Sequence, residues 1–148
     1  MLLKVKYLRS DMPELFSKDG DSGYDLRAAV DAPVIIPAHG IATISAGVCL
    51  EVSDYPTDNN RSVELQIRPR SGLTKNGIVA QLGTVDASYR GEIKVNVLNY
   101  NDHDIEIAPL ERMAQLVICP IYKPEVVSVD ALSQTERGDK GFGSSGRN

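Results

Sequence analysis

The sequence is poor in cysteine, histidine and long apolar runs, and each shortage excludes a class of protein. Two cysteines and two histidines in 148 residues disfavour a disulfide-stapled domain and make no zinc cluster. Cys49 and Cys119 lie in apolar stretches, which predicts buried free thiols, whereas His39 and His103 lie in turn-like polar segments, which predicts surface positions. No apolar run approaches about 18 residues, so we expect neither a membrane span nor an export leader, and we expect a cytoplasmic protein.

An excess of positive charge is also missing. Sixteen Lys and Arg oppose 20 Asp and Glu, a net charge of -4, which argues against stable nucleic-acid binding. A nucleotide site stays open, because it needs only a few local cations. The length and the 42% hydrophobic content predict one globular domain with a sizeable core.

Apolar and polar residues alternate along the chain at the two-residue period of half-buried strands. The clearest alternations involve Leu3, Val5 and Tyr7; Val63, Leu65 and Ile67; Ile93, Val95 and Val97; and Ile105 with Ile107. Helical periodicity is scarce, except for a short helix predicted from Ser71 to Asn76, with Ser71 as a candidate cap and Gly77 as a stop. The sequence therefore predicts an all-β fold, a single-domain jelly roll or β-barrel that limits exposed strand edges.

Five polar segments beside glycines are candidates for the functional site, because glycine lets a ligand approach the backbone closely. They are DSGYDL at 21–26, RPRSGL at 68–73, GTVDASYRG at 83–91, RMAQL at 112–116 and the tail from 137. RPRSGL joins forked guanidinium donors to a hydroxyl and a small-residue turn, which suits a phosphate. A strand end followed by an ordinary turn is an equal alternative for these six residues.

GTVDASYRG carries one carboxylate and one aromatic in a predicted hairpin. Asp86 can orient and deprotonate a water there, and Tyr89 can pack on a sugar or a base; the alternative is a polar turn with a core tyrosine. Arg112 and Gln115 precede an apolar strand and either cap a sheet edge or point into a site. Asp25 either orders the hydration shell of a metal or pairs with a neighbouring cation. With no carboxylate pair, His/Cys cluster or Ser/His/Asp order evident, water attack on a bound phosphate is the chemistry left.

The tail from Arg137 to Asn148 differs in kind from the rest of the chain. It holds four glycines, two serines, three cations and Phe142, with no strand or helix pattern. It is either a disordered terminus or a flexible arm whose amides and cations bind phosphates while Phe142 stacks on a base. Its glycine spacing matches neither a P-loop nor a dinucleotide fingerprint.

Taken together and in this order, the five segments resemble the five motifs of the deoxyuridine triphosphate nucleotidohydrolases, the homotrimeric dUTPases, over residues 22–146. The resemblance implies a β-rich jelly-roll catalytic domain at 1–136 and a flexible glycine-rich arm at 137–148 that closes over an active site shared between subunits. It implies a dUTP diphosphatase that converts dUTP to dUMP and pyrophosphate, limits uracil incorporation into DNA and supplies dUMP for thymidylate synthesis. It also implies Mg²⁺ as a cofactor, held by the substrate phosphates and water, with Asp25 acting only indirectly.

The resemblance also assigns roles to individual residues. Asp86 matches the general base that activates a water for attack on the α-phosphorus, and Tyr89 matches the aromatic that packs on deoxyribose and excludes a 2′-hydroxyl. Backbone groups of the same segment, Gly83 and Val85 among them, would read the uracil edge, and the narrow pocket would exclude the methyl group of thymine. The phosphates would contact Arg70, Ser71, Gly72 and Gln115, with Arg112 as a further candidate, and the closing arm would contribute Arg137, Phe142, Gly143 and Ser144, with Phe142 over the uracil.

Three residues depart from the family pattern: Ser22 stands where alanine is usual, Lys140 where glycine is usual, and Ser145 where threonine is common. The related dCTP deaminases are the nearest alternative, but deamination needs a proton-shuttling acid at the base ring, and none is obvious near Asp86. A second alternative is a nucleotide-controlled regulator that contacts a protein partner through the polar loop Asp54–Arg61. A purely structural jelly roll would not require the arginine, phenylalanine and four glycines of the tail.

Overall fold

Ten strands form the framework of the computed structural model, which describes residues 1–55, 60–139 and 141. The strands are β1 (Leu2–Tyr7), β2 (Tyr24–Arg27), β3 (Val34–Ile36), β4 (Ile41–Ser53), β5 (Arg61–Arg68), β6 (Ile78–Ala80), β7 (Gly83–Asp86), β8 (Glu92–Asn99), β9 (Ile105–Ile107) and β10 (Arg112–Tyr122). One four-residue helix, α1 (Ser71–Thr74), lies between β5 and β6. Within the described ranges, no helix is long and apolar enough to cross a membrane. The predicted all-β fold is confirmed, and each alternating stretch forms a strand.

The strands pair antiparallel in three sheets. One four-stranded sheet has the order β1-β4-β8-β6, the other has the order β2-β10-β5-β7, and β3 pairs with β9 in a small third sheet. Neighbours in the sheets are mostly distant in the sequence, as in a jelly roll, where long connections pass from one sheet to the other. Residues that are far apart in the chain therefore meet at the ends of the sheets.

The core lies between the two large sheets and is built from the inward residues of their strands. Every second residue of β5, at Val63, Leu65 and Ile67, is buried, and β8 repeats the pattern at Ile93, Val95 and Val97. Each fully buried side chain of this size contributes about 1.5–3 kcal/mol of transfer free energy. One contiguous cluster joins these residues to those of β4 and β10, so a rigid scaffold supports the loops at both ends.

A bulge in β4 allows this long strand to pair with two neighbouring strands, β1 and β8. Its first half pairs with β8 and its second half with β1, and the register shifts between Ser45 and Cys49. Gly47 sits in the bulge with φ of +66°, and a β-carbon there would lie 2.7 Å from that of Ala29. Only glycine can adopt this positive φ without strain and also leave room for the side chain of Ala29. Glu92 of β8 closes the bulge by accepting hydrogen bonds from the Ser45 hydroxyl and from the Gly47 amide.

Several local expectations are corrected by the fold. RMAQL does not precede a strand but forms the first half of β10. Cys49 and Cys119 are free thiols as predicted, although they are half-buried rather than buried. His39 and His103 are exposed, as expected. The predicted short helix is present, but Arg70 is its N-cap rather than Ser71, and it ends in a turn at Gly77, whose φ is +73°.

The chain beyond β10 forms neither strand nor helix as far as residue 139. The predicted boundary between a catalytic domain ending at 136 and an arm beginning at 137 stays a prediction. Lys140, Phe142, Gly143, Ser144 and Ser145 lie outside the described residues, as does most of the loop predicted between Asp54 and Arg61.

Candidate active site

A cavity of about 320 Å³ opens between β7 and β8 and gathers four of the predicted site residues. Gly83, Val85, Asp86 and Tyr89 all line it. The other lining residues, none of them a site residue predicted from the sequence, are Ile67, Thr84, Glu92, Ile93 and Lys94. Most of them belong to β8, because alternation shows which face of a strand is buried but not which strand stands opposite.

The hairpin predicted for this segment is wrong in its pairing. The chain does reverse after β7, but β7 pairs with β5 in one sheet whereas β8 pairs with β4 and β6 in the other. The ladder between β6 and β8 covers only residues 97–99 of β8. The two strands around the turn are therefore splayed apart, and the cavity fills the space between them. Backbone amides and carbonyls at such a cavity suit recognition of the polar edge of a flat base.

Asp86 is the carboxylate of this cavity. It ends β7, directly opposite Glu64 of β5, and it is exposed to solvent while lining the cavity. A carboxylate that reaches both water and a bound ligand is placed to accept a proton from that water.

The turn after Asp86 is held by hydrogen bonds that fix the position of Tyr89. The Tyr89 amide donates to the Asp86 carbonyl at 2.9 Å, and the Tyr89 hydroxyl donates to the Glu92 carbonyl at 3.3 Å. The side chain of Arg90 donates from Nη1 to the carbonyl oxygens of Ala87, at 2.7 Å, and Tyr89, at 2.9 Å. Hydrogen bonds thus hold both the backbone amide and the side-chain hydroxyl of Tyr89.

Arg90 was not selected from the sequence, although it lies inside GTVDASYRG. Besides closing the turn, its Nε lies 3.5 Å from a carboxylate oxygen of Glu51 on β4. Lys4 donates a 2.8 Å hydrogen bond to Glu51, and this bond lowers the pKa of the Glu51 carboxyl. Arg90 therefore ties the turn of the cavity to the neighbouring sheet. The available signal was that Arg90 is the one cation in a segment already chosen for its carboxylate.

A second cavity, of about 330 Å³, is polar and gathers a different set of predicted residues. Asp25, Arg70, Arg112 and Gln115 line it. The remaining lining residues are Glu14, Phe16, Lys18, Asp21, Gly23 and Arg27. Four cations and three carboxylates thus share this cavity, and guanidinium groups with forked donors suit phosphate oxygens.

Asp25 orients the two predicted arginines. Its carboxylate lies 3.1 Å from Nε of Arg70, an ion pair without a well-aligned hydrogen bond, and accepts a hydrogen bond from Nη1 of Arg112 at 3.3 Å. Arg70 in turn donates from Nη1 to the Arg112 carbonyl at 3.0 Å. Of the two alternatives for Asp25, the structure shows the one in which it pairs with neighbouring cations. Arg112 and Gln115 line this cavity from within β10, and their predicted role in a binding site stays a prediction.

Three further predicted residues line neither cavity. Ser71 and Gly72 are exposed at the start of α1, directly after Arg70. Arg137 is exposed beside a turn in which the Gly138 amide donates to both oxygens of Thr135 at 3.1 Å. The predicted contacts of these residues stay predictions.

Asp86 and Arg70 lie toward different ends of β5, although the first cavity itself extends along β7 from Asp86 to Gly83, which is opposite Ile67. Asp86 is opposite Glu64, whereas Arg70 follows Arg68 at the far end of β5. Four residues of extended strand separate Glu64 from Arg68, which is about 13 Å at the usual rise. No described residue lines both cavities. The carboxylate and the phosphate-type donors of one chain are therefore placed apart from each other.

Among the described residues, no three His, Cys, Asp or Glu side chains are arranged to hold a metal ion. In the second cavity the carboxylate of Asp25 is already paired with two arginines. This donor set fits a cation that arrives with its own oxygen ligands, rather than one held in a protein cage.

Sequence comparisons identify relatives along the whole chain. A family model described as dUTPase matches residues 11–146. The deoxyuridine 5'-triphosphate nucleotidohydrolase of Orientia tsutsugamushi (strain Ikeda) is 40% identical over 157 residues, covering 99% of each chain. That of Hydrogenobaculum sp. (strain Y04AAS1) is 43% identical over 150 residues, again covering 99% of each chain.

The chain is also similar to solved structures of dUTPases. A variant of the Staphylococcus bacteriophage 80alpha dUTPase, solved with dUpNHpp, superposes with a TM-score of 0.83 at 27% identity and covers 98% of each chain. A variant of the dUTPase from phage phi11 of S. aureus, studied for its coordination of a structural Mg(II) ion, has a TM-score of 0.78 over 90% of this chain and 100% of that chain. At 21% identity, the second comparison supports the fold alone.

Proposed function

Because the chain belongs to the dUTPase family, we propose that Asp86 is the general base of its active site and that the β7–β8 cavity binds deoxyuridine. The activity is that of a dUTP diphosphatase, which hydrolyses dUTP to dUMP and pyrophosphate. The observation that carries the site assignment is the joint presence of Gly83, Val85, Asp86 and Tyr89 around one cavity. Such a small cavity accommodates a nucleoside far better than an extended polymer.

Uracil would enter between β7 and β8. The splayed strands offer backbone donors and acceptors at Gly83 and Val85, and these groups can pair with the polar edge of the base. Ile67 and Ile93 supply apolar surface for its flat faces. The narrow space would reject the methyl group of thymine, a discrimination worth about 1–3 kcal/mol.

Tyr89 would pack on the deoxyribose and leave no room for a 2′-hydroxyl. Its ring lines the cavity beside Asp86, and its backbone and hydroxyl are both held by hydrogen bonds. A wall that is fixed before substrate binds excludes the larger sugar more strongly than a mobile one, because displacing it would break those bonds.

Arg70, Arg112 and Gln115 would bind the triphosphate, with Ser71 and Gly72 as neighbouring contacts. Asp25 keeps the two guanidinium groups in place by pairing with both. Positioned donors of this kind stabilise the charge that develops on the phosphate oxygens during water attack. The proton of that water would pass to the carboxylate of Asp86 as the oxygen–phosphorus bond to the α-phosphorus forms, and the bond from the α-phosphorus to the bridging oxygen of the β-phosphate would break and release pyrophosphate.

We further propose a homotrimer in which each active site is shared between chains. Asp86 and Arg70 lie at opposite ends of a strand pair in one chain, so a neighbouring chain is needed to bring an Asp86 cavity against an Arg70 cavity. Head-to-tail contacts of this kind close into a ring under threefold symmetry. The arm at 137–148, with Arg137, Phe142, Gly143 and Ser144, would close over the site from a further chain.

Magnesium is proposed as the cofactor, held by the three phosphates and water. Mg²⁺ prefers octahedral oxygen ligands and usually keeps several waters, and it neutralises charge on the phosphate chain when bound. Asp25 would act on it only indirectly. A cytoplasmic location is likewise proposed, and the free thiols of Cys49 and Cys119 fit a reducing compartment.

A product assay with one variant tests the proposal. In the presence of Mg²⁺, dUTP alone among dUTP, dCTP, dTTP and UTP should yield monophosphate and pyrophosphate, with no ammonia released from dCTP. Asp86→Asn should bind dUpNHpp about as tightly as the wild type and lose on the order of 100- to 10,000-fold in turnover. Normal turnover by this variant would refute the role of Asp86, and ammonia from dCTP would move the chain to the deaminases.

A further inference from the structure

We propose that Gly91 determines the specificity for deoxyribose over ribose, because the absence of a side chain at this position leaves the space that the Tyr89 ring occupies. This inference rests on the proposed function of Tyr89 as the wall that excludes a 2′-hydroxyl. Gly91 lies outside the lining of the cavity, so its influence would act through the tyrosine.

The backbone of Gly91 does not itself demand glycine. The positive-φ glycines of the described residues are Gly20, Gly47, Gly77 and Gly138, and Gly91 is not among them. An alanine could therefore adopt the backbone conformation at position 91 without strain. A side chain at position 91 is therefore excluded by a neighbouring group and not by the backbone φ angle.

That neighbouring group is the tyrosine ring. A β-carbon at position 91 would lie 2.5 Å from Cζ of Tyr89, 3.0 Å from Cε2 and still closer to the hydroxyl oxygen. The ring therefore lies directly over the α-carbon of Gly91, with its hydroxyl donating to the Glu92 carbonyl. To restore an ordinary contact, the end of the ring would have to move by about 1 Å.

A shift of this size matters because Tyr89 belongs to the cavity wall. Tyr89 lines the cavity together with Asp86 and Glu92, whereas Gly91 does not, so a side chain at position 91 would act on the proposed sugar site through the tyrosine. Displacing the ring breaks its hydroxyl bond to Glu92 and removes the fixed wall. Because steric rejection of one additional hydroxyl amounts to about 100-fold, a wall misplaced by this distance should lose much of that selectivity.

The test is a double-mutant cycle between Gly91→Ala and Tyr89→Ala, read as the ratio of kcat/KM for dUTP to that for UTP. Gly91→Ala alone should lower this ratio at least about tenfold. In the Tyr89→Ala background the same change should have no further effect, because the ring with which the alanine collides is gone. Gly40→Ala is the control: its β-carbon would lie 2.9 Å from the Pro37 carbonyl oxygen, which is also closer than an ordinary contact, but Gly40 lines neither cavity. It should lower the melting temperature without changing the ratio.

The outcomes separate this inference from the function on which it rests. If Tyr89→Ala lowers the ratio but Gly91→Ala does not, the role of Gly91 is wrong and the role of Tyr89 stands. If Gly91→Ala lowers the ratio equally in both backgrounds, Gly91 acts independently of the ring and the inference is also wrong. If Tyr89→Ala leaves the ratio unchanged, the proposed sugar wall itself is refuted. Should Gly91→Ala fold poorly, the double variant should fold as well as Tyr89→Ala, because neither protein contains the clash, and a double variant that also folds poorly would refute the inference.

Discussion

Mixing two inactive variants should restore activity if each active site is shared between chains. Asp86→Asn removes the proposed base, and Arg70→Gln removes a proposed phosphate ligand at the other end of the strand pair. The two side chains line separate cavities, and about 13 Å of strand separates their neighbours Glu64 and Arg68. A site assembled from two chains can therefore receive an intact Asp86 from one variant and an intact Arg70 from the other.

The size of the effect follows from counting chains. In a random mixture of equal amounts, a shared site has an even chance of each intact residue, so about one quarter of the sites should be complete. A mixture of wild type with the variant that carries both substitutions gives the same quarter for shared sites. If a site lay within one chain, the first mixture would restore no site and the second would leave about half of the sites active. The two mixtures together distinguish the arrangements without knowledge of absolute rates.

The assay is pyrophosphate release from dUTP by the whole mixture after the chains are co-refolded in equal amounts, with two affinity tags used only to verify that mixed oligomers have formed. Unmixed samples of each variant provide the background. Recovery of about a quarter of wild-type activity in both mixtures would support the shared site. Background activity in the first mixture with half activity in the second would refute it.

Two further predictions concern the fold and the arm. Asn99 is 2% exposed and directs its amide nitrogen at the carbonyl oxygens of Ile36, Pro37 and His103, so Asn99→Ala should lower the free energy of unfolding in urea by about 2–4 kcal/mol. The exposed control Asn96→Ala should change it by about 0.5 kcal/mol or less, and equal losses would show that the buried network is unimportant. A chain that stops at Glu136 should keep its melting temperature and lose on the order of 100-fold in kcat/KM for dUTP, because closure completes the site. Full activity of this shortened chain would contradict the role of the arm.

The sequence predicted best those features that depend on local pattern. The alternation at Val63, Leu65 and Ile67 indicated a strand with one buried face, and β5 has that face in the core. The helix predicted from Ser71 to Asn76 is present but ends at Thr74, and Gly77, the predicted stop, ends the turn that follows it with a φ of +73°. Each of these outcomes is decided by the geometry of a few consecutive residues, which the sequence contains in full.

The sequence did not predict correctly which strands pair with each other. The segment around Asp86 has the turn residues of a hairpin, yet β7 joins β5 and β8 joins β4 and β6, because pairing is decided by the packing of two sheets rather than by the turn. Arg90 was not among the predicted site residues, because its hydrogen bonds to the carbonyl oxygens of Ala87 and Tyr89 exist only once the chain has folded into the turn.

Local sequence patterns suffice to predict an all-β domain and to find five segments that resemble, in the same order, the motifs of the dUTPases. Periodicity and residue chemistry are properties of short stretches, so they can be read without coordinates. Which of those residues meet depends on the tertiary structure. It splayed β7 from β8 to open a cavity at Asp86, and it placed Arg70 with Asp25 and Arg112 at the opposite end of the sheet. Contacts between residues distant in the chain depend on how whole sheets pack, and no local pattern encodes that.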